Sequence, residues 1–313
     1  YKIKNRPTDN PLIVHIRDYT EAKMYLVLNS IEEAIAETIT KKFWPGPLTI
    51  VGKANSFIPD IVTANTGYVG MRSPSHPVAQ KLLEFAMLPI AAPSANPSGR
   101  VSSTSKDHIV NYFQDYNIKM LVPDEPCKFG IESTVVKIDN NNLTILRPGT
   151  ITKEELEDCL QSLDFDVSIT NKIITEQDSS PGTYLSHYST TKKTMLFNFV
   201  DIDVDSDNNI DNIRDCLKTY LTKSVCIDFN SKNYTLKDNF GAYVDLSNNG
   251  DINEALFNLY NVLHQIEHTV SIDNILIFDF YSEKDGLYKT LFDRVFRSSA
   301  GKKILIPINI LLE

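Results

Sequence analysis

Short apolar runs alternate along this chain with amphipathic stretches and with breaks rich in proline and glycine, and that alternation restricts its fold more than any other feature. No apolar run reaches the ~18–20 residues a membrane-spanning helix needs. With 42% hydrophobic and 23% charged residues, the chain has the material for a real core, which excludes disorder as a global description. Its 313 residues correspond to about two domains at roughly 100–200 residues each.

The local patterns predict the elements. Residues 11–16, Leu48-Thr49-Ile50-Val51, 67–72 and 88–92 read as strands. Ser30 with Glu33 three positions on is a capping-box pattern that opens a helix over 30–42, and Pro45, Gly46 and Pro47 stop it. Helical spacing recurs over 76–87 and 105–114. Residues 133–139 and 143–146 suit a hairpin across Asn140-Asn141-Asn142. Thr152, with Glu155 three on, caps a helix through Leu160. The pattern fades over 165–193, which reads as a linker. It resumes with strands over 194–200, 224–229 and 275–280, helices over 210–221 and 252–265, and a loop and helix over 282–299. The expected class is therefore α/β (α+β). The expected division is a first domain over 1–164, a linker over 165–193 and a smaller α/β unit with a parallel sheet over 194–313.

Charge separates the two halves. Residues 1–150 carry 16 Lys and Arg against 14 Asp and Glu; residues 151–313 carry 15 against 26, so the whole chain's net of −9 belongs to the second part. That balance argues against a protein whose main work is to coat nucleic acid. Cys127, Cys159, Cys216 and Cys226 form no CxxC pair, so a zinc ribbon and a thioredoxin-like motif are excluded, and the spacing fits a reducing cytoplasm. The start at Tyr1 has no secretory apolar region.

Four groupings can carry chemistry. Lys4 and Arg6, before Asn10 and Pro11, are suited either to clamping an anion such as a triphosphate or to being a solvated basic chain end. His15 sits in an apolar strand as a ligand or as a satisfied core histidine. The loop Ser94-Ala95-Asn96-Pro97-Ser98-Gly99, with Ser102, follows an apolar strand and reads as a phosphate-binding loop or an ordinary turn; it is not a P-loop. Arg72 before a proline-rich turn, and Ser133 with Arg147 across the hairpin, are suited to holding a carboxylate or to capping and solvation. The aspartates at 201, 203, 205 and 207 lack the glycine and closing glutamate of a calcium loop, and His264 with His268 lacks the HExxH pattern, so the first reads as a solvated acidic turn and the second as a helix surface.

Taken in order, KxRPxxNPLIVHI, FWPGPLTIV, RSPSHPVA, PIAAPSANPSGRVS, IESTVV, ILRPG and SPGxYxxHY resemble the YrdC-type threonylcarbamoyl-adenylate synthases of two-domain form. The resemblance is most specific over residues 4–150. The C-terminal part, with Gly286-Leu287 and Asp293-Arg294-Val295, is similar to the smaller domain of that form. It implies a YrdC-like twisted mixed sheet with helices, followed by a smaller Rossmann-like α/β domain. It implies that ATP, L-threonine and bicarbonate give threonylcarbamoyl-AMP and pyrophosphate with Mg²⁺, for threonylcarbamoyladenosine in tRNA, passed on to tRNA-modification proteins in the cytoplasm. By resemblance, the KxR…SxN signature falls on Lys4, Arg6, Ser94 and Asn96, with Lys4 and Arg6 catalytic. Arg6, Asn10, Tyr68, Ser94, Asn96, Ser102 and Arg147 are expected on the ATP side, and His187 and Tyr188 in a linker folded over the nucleotide. His15, Arg72, Ala92 (through its backbone) and Ser133 are expected on the threonine side. Tyr68 stands where relatives usually carry a small residue. Relatives also carry a first strand and helix before the KxR segment, so the chain is expected to begin inside a longer product and, if cut at Tyr1, to fold poorly. Two other readings stand beside this one. The first is a double-stranded RNA or tRNA-binding module of YrdC fold, for which a net of +2 is thin. The second is a carbamoyl-transfer domain of the hydrogenase-maturation type, which normally carries Cys clusters absent here.

Overall fold

A computed structural model describes residues 1–121, 126–171, 187–201, 210–280 and 286–312. They form two compact units: Tyr1–Ser98, Ser105–Pro126 and Ile131–Tyr184 make the first, and Gly99–Thr104, Cys127–Gly130 and Leu185–Glu313 the second. The division is thus not one cut in sequence. Gly99–Thr104 joins the second unit through backbone bonds: Ser189 N–H donates to the Gly99 carbonyl at 2.9 Å and Cys127 N–H to the Thr104 carbonyl at 2.8 Å.

In the first unit the strands are β1 (Ile13–His15), β2 (Leu26–Val27), β3 (Leu48–Ala54), β4 (Tyr68–Arg72), β5 (Ile90–Ala92), β6 (Thr134–Asp139), β7 (Asn142–Arg147) and β8 (Ser168–Asn171). They form a mixed sheet in the order β5-β1-β4-β3-β6-β7-β8, with β2 also on β3. The pairs β1–β4, β3–β6 and β7–β8 are parallel and the rest antiparallel. The helices are α1 (Tyr19–Ala22), α2 (Ser30–Phe43), α3 (Asp60–Thr63), α4 (Pro77–Ala86), α5 (Lys106–Phe113) and α6 (Lys153–Leu160). Ile35, Ala36 and Ile39 of α2 and Leu156 and Leu160 of α6 bury against Leu48, Ile50, Val136, Ile138, Leu143 and Ile145. Each such large side chain contributes about 1.5–3 kcal/mol on burial. That covers one face of the sheet.

Two local expectations are corrected. The capping box of α2 is Asn29 with Glu32, one residue before the Ser30–Glu33 pattern. Asn29 Oδ1 accepts the N–H groups of Ile31 and Glu32 at 3.0 Å, and the Glu32 carboxylate accepts Asn29 N–H at 2.9 Å. The other Glu32 oxygen accepts the N–H of Asn140 at 3.0 Å, so the same side chain ties the helix start to the β6–β7 turn. Ser168–Asn171, inside the expected linker, is an edge strand. Its residues are polar and mostly exposed, so no periodicity marks it; the open edge of β7 does.

The second unit is built on an all-parallel sheet, as its alternation predicts. The order is β11 (Ala242–Asp245), β10 (Ser224–Asp228), β12 (Asn274–Phe278), β9 (Lys193–Val200), β13 (Lys303–Pro307). Strands β11 and β13 were not legible: the first is four half-buried residues, and the second alternates weakly near the chain end. Helices α7 (Ile210–Thr222), α8 (Ile252–Glu267), α9 (Leu287–Ser298) and α10 (Ile308–Leu312) complete it. Among the described residues no helix is long and apolar enough to cross a membrane.

Candidate active site

The first unit's sheet has a second face, and strand alternation decides what stands on it. Leu48 and Ile50 of β3 point into the α2/α6 core, so Thr49 and Val51 point the other way. A Cβ added to Gly70 would meet the side chains of Thr49, Ile13 and Val51 at 3.3–3.8 Å, which puts these residues and Gly70 on one face. Pairing carries the face sideways: His15 is opposite Arg72, Ala92 opposite Ile13, and Thr49 opposite Val135. One step beyond the Ile50–Met71 pair sets Thr49 beside Arg72.

Arg147 reaches the same row through an irregularity. Val136 pairs with Ile145, but Val135 pairs with Arg147, so one extra residue bulges from β7. Simple alternation after Leu143 and Ile145 would send Arg147 into the core. Because paired residues share a face, the bulge re-aims it to the face of Thr49 and Val135, a recurrent use of such bulges beside sites. A row across five strands results: His15, Arg72, Thr49, Val135 and Arg147. Strands β4 and β7 are three spacings apart, about 14 Å at ~4.8 Å each. The two arginines therefore enter the row from strands with β3 and β6 between them.

Hydrogen bonds hold these side chains. His15 Nδ1 lies 3.2 Å from the Ile90 carbonyl and Nε2 lies 2.9 Å from Arg72 Nη2. A carbonyl only accepts and a guanidinium only donates, so the ring is neutral with its proton on Nδ1. Burial, and then the charge of Arg72, push its pKa down to about 4. The buried Arg147 donates from Nη2 to the Ser133 carbonyl at 2.8 Å and to Ser133 Oγ at 3.1 Å, and from Nε to the same carbonyl at 3.2 Å. Ser133 Oγ lies 2.8 Å from Thr49 Oγ1. Gly149 lets the chain leave β7 against this segment, since a Cβ there would fall 2.4 Å from Thr134 N.

Beside the row lies the basic segment. Lys4 Nζ donates to the carbonyls of Ser94, at 2.6 Å, and Asn96, binding the chain start to the 93–99 loop. Ser98 N–H reinforces this by donating to the Lys4 carbonyl at 2.7 Å. Burial, and then Arg6, lower the Lys4 pKa to about 8. Arg6 Nη2 donates to Asn10 Oδ1 and to the Pro11 carbonyl, both at 2.7 Å, and Asn10 is buried. Tyr68 opens β4 with its ring partly exposed and the Lys137 ammonium 4.2 Å from its centre. The structure thus gathers Lys4, Arg6, Asn10, His15, Tyr68, Arg72, Ala92, Ser94, Asn96, Ser133 and Arg147 within one unit. Thr49 was missed, although one hydroxyl in an otherwise apolar strand was a signal.

Ser102, His187 and Tyr188 belong to the second unit. The Ser102 carbonyl lies 3.1 Å from Nε2 of His264, which is buried rather than on a helix surface as expected. Tyr188 is fully buried, with φ +61°, 5.3 Å from the Tyr260 ring and with the Arg294 guanidinium 5.1 Å from its centre. His187 packs edge-on to it at 4.1 Å. The rest of the expected nucleotide-covering segment, 180–186, and the aspartates at 203, 205 and 207 lie outside the described residues. No group of three or more His, Cys, Asp or Glu suited to a metal occurs among the described residues.

Comparison with known proteins also finds two parts, divided near residue 150, before α6 and β8. A family profile described as telomere recombination, of Sua5, YciO and YrdC proteins, matches residues 1–149, and one described as threonylcarbamoyl-AMP synthase, C-terminal domain, matches residues 151–300. Threonylcarbamoyl-AMP synthase of Bacillus subtilis is 39% identical over 193 residues, 61% of this chain and 54% of that protein. The Pyrococcus abyssi enzyme of the same name is 34% identical over 196 residues, 63% of this chain and 54% of that one. A putative threonylcarbamoyl-AMP synthase of Methanocaldococcus jannaschii is 34% identical over 159 residues, 51% of this chain and 72% of that protein. The chain therefore spans about half the length of the first two. The crystal structure of Pyrococcus abyssi Sua5 complexed with L-threonine matches with a TM-score of 0.77 at 28% identity, covering 97% of this chain and 84% of that one.

Proposed function

We propose that this chain, which belongs to the Sua5/YrdC family of threonylcarbamoyl-AMP synthases, joins L-threonine, bicarbonate and ATP into threonylcarbamoyl-AMP and releases pyrophosphate. The observation that carries the reading is the row of His15, Arg72, Thr49, Val135 and Arg147, with the Lys4 and Arg6 cations in the same unit. The relative that shares this fold was solved with L-threonine.

The chemistry asks for what this face offers. Threonine's amine and bicarbonate give a carbamate and water. A carbamate oxygen then attacks the α-phosphorus of ATP, and the bond to pyrophosphate breaks. No covalent enzyme nucleophile is required, so catalysis rests on bringing two anions together and spreading their charge. Arg72 is suited to the threonine carboxylate, with neutral His15 holding it in place. Arg147, Arg6 and Lys4 are suited to the phosphates. Lys4 uses two N–H bonds on carbonyls, and an ammonium has three. Mg²⁺ enters as the ion carried on the ATP phosphates. Use of the product for threonylcarbamoyladenosine in tRNA, hand-over to tRNA-modification proteins and a cytoplasmic location follow from the same reading.

The test is isotopic. With ¹³C-bicarbonate, L-threonine and ATP, the label should appear with threonine in one adenylate. An adenylate lacking the label, or formed without threonine, overturns the reading.

A further inference from the structure

We propose that Thr49 is a positioning residue for this reaction: together with Arg147 it fills the acceptor capacity of Ser133 Oγ and turns the Ser133 proton toward the substrate. The proposal rests on the reading of the site just given.

Thr49 is fully buried in an apolar strand, where a hydroxyl is costly unless it is hydrogen-bonded. Its partner is Ser133 Oγ, 2.8 Å away. Both ends of the side chain are held. The methyl faces Gly70, where any Cβ would lie 3.3 Å from it, and a β-branched residue has few χ1 choices to begin with.

Proton counting then assigns the roles. Arg147 Nη2 donates to Ser133 Oγ, since a guanidinium has no acceptor. A hydroxyl has one proton and two lone pairs. If Thr49 accepted from Ser133, its own proton would be buried with no other acceptor among the described residues. If Thr49 donates, its proton is satisfied and both Ser133 lone pairs are filled. The Ser133 proton is then left as a donor beside the Arg147 guanidinium, where an anionic oxygen is expected. Ser133 becomes a directed donor to a substrate carboxylate or carbamate oxygen, and Thr49 fixes that direction without touching the substrate.

The test uses the full chain with Thr49→Val, which keeps the shape and removes the hydroxyl, and Thr49→Ser, which keeps the hydroxyl. Calorimetric affinities for L-threonine and for ATP are measured with the threonine KM and with thermal melts as a folding check. Thr49→Val should weaken threonine binding and raise its KM by about 10–100-fold, the range for a lost hydrogen bond to a charged group. ATP affinity should move less than about threefold, and Thr49→Ser should restore threonine binding to within about threefold of the parent. A merely structural role would move both substrates together. Unchanged threonine binding in Thr49→Val, or equal losses in both variants, overturns the proposal. Failure of the unaltered chain to bind threonine overturns the underlying reading, a result distinct from either.

Discussion

In the first unit Arg147 donates to a serine hydroxyl and carbonyl, Arg72 to an imidazole, and Arg6 to an asparagine amide and a carbonyl. In the second, Arg294 and Arg297 close on the Asp293 carboxylate at 2.5 and 2.9 Å, and all three are buried. A neutral acceptor fixes a cation's direction without opposing its charge. A carboxylate shared by two guanidinium groups offsets part of their charge and makes the cluster part of the architecture. Burial alone does not separate the two cases, since Arg147 is 5% exposed and Arg297 is 2%. The chemistry of the acceptor does.

The largest effect that sharpens this comparison lies in the second unit. Arg294→Ala leaves Asp293 buried with one partner fewer, and the expected cost is about 3–5 kcal/mol of stability. Chemical denaturation checks it, with ATP affinity of the folded protein expected to stay near that of the parent. Arg147→Ala should behave the other way, weakening ATP binding by about 10–100-fold in titration. Equal nucleotide losses in both variants would break the distinction. Lys4 gives a pH test. Its pKa is lowered, so the charged form is complete below about 8 and lost as pH rises through that value. The kcat/KM for ATP should then fall about tenfold per pH unit above 8. A profile flat to the usual lysine range would remove Lys4 from phosphate binding. The smallest effect is at Tyr68. Replacing it with threonine removes the ring under Lys137 and should cost about 0.5–1 kcal/mol in urea unfolding.

The family and the fold class were legible because they rest on residue types and local order. The parallel sheet of the second unit came from apolar runs between helical stretches, and Thr152–Glu155 capped α6 as its spacing requires. What local order does not show is set by pairing over distance. Arg147 follows Leu143 and Ile145 at even spacing, and the bulge opposite Val135 is what places it on the opposite face. The contact of His15 with Arg72 depends on a parallel pair 57 positions apart. Ser168–Asn171 is polar enough to read as linker until β7 offers it an edge. The packing of the Tyr188 ring against Tyr260 and Arg294 likewise joins residues far apart in sequence. Thr49 was visible in the sequence but had no meaning until Ser133 lay beside it.

By the function proposed above, the first unit's sheet face joins threonine to ATP through bicarbonate. Pyrophosphate release by the full chain is measured with ATP and with each of L-threonine and bicarbonate omitted in turn. Release is expected only when all three are present. Release that continues without threonine contradicts it.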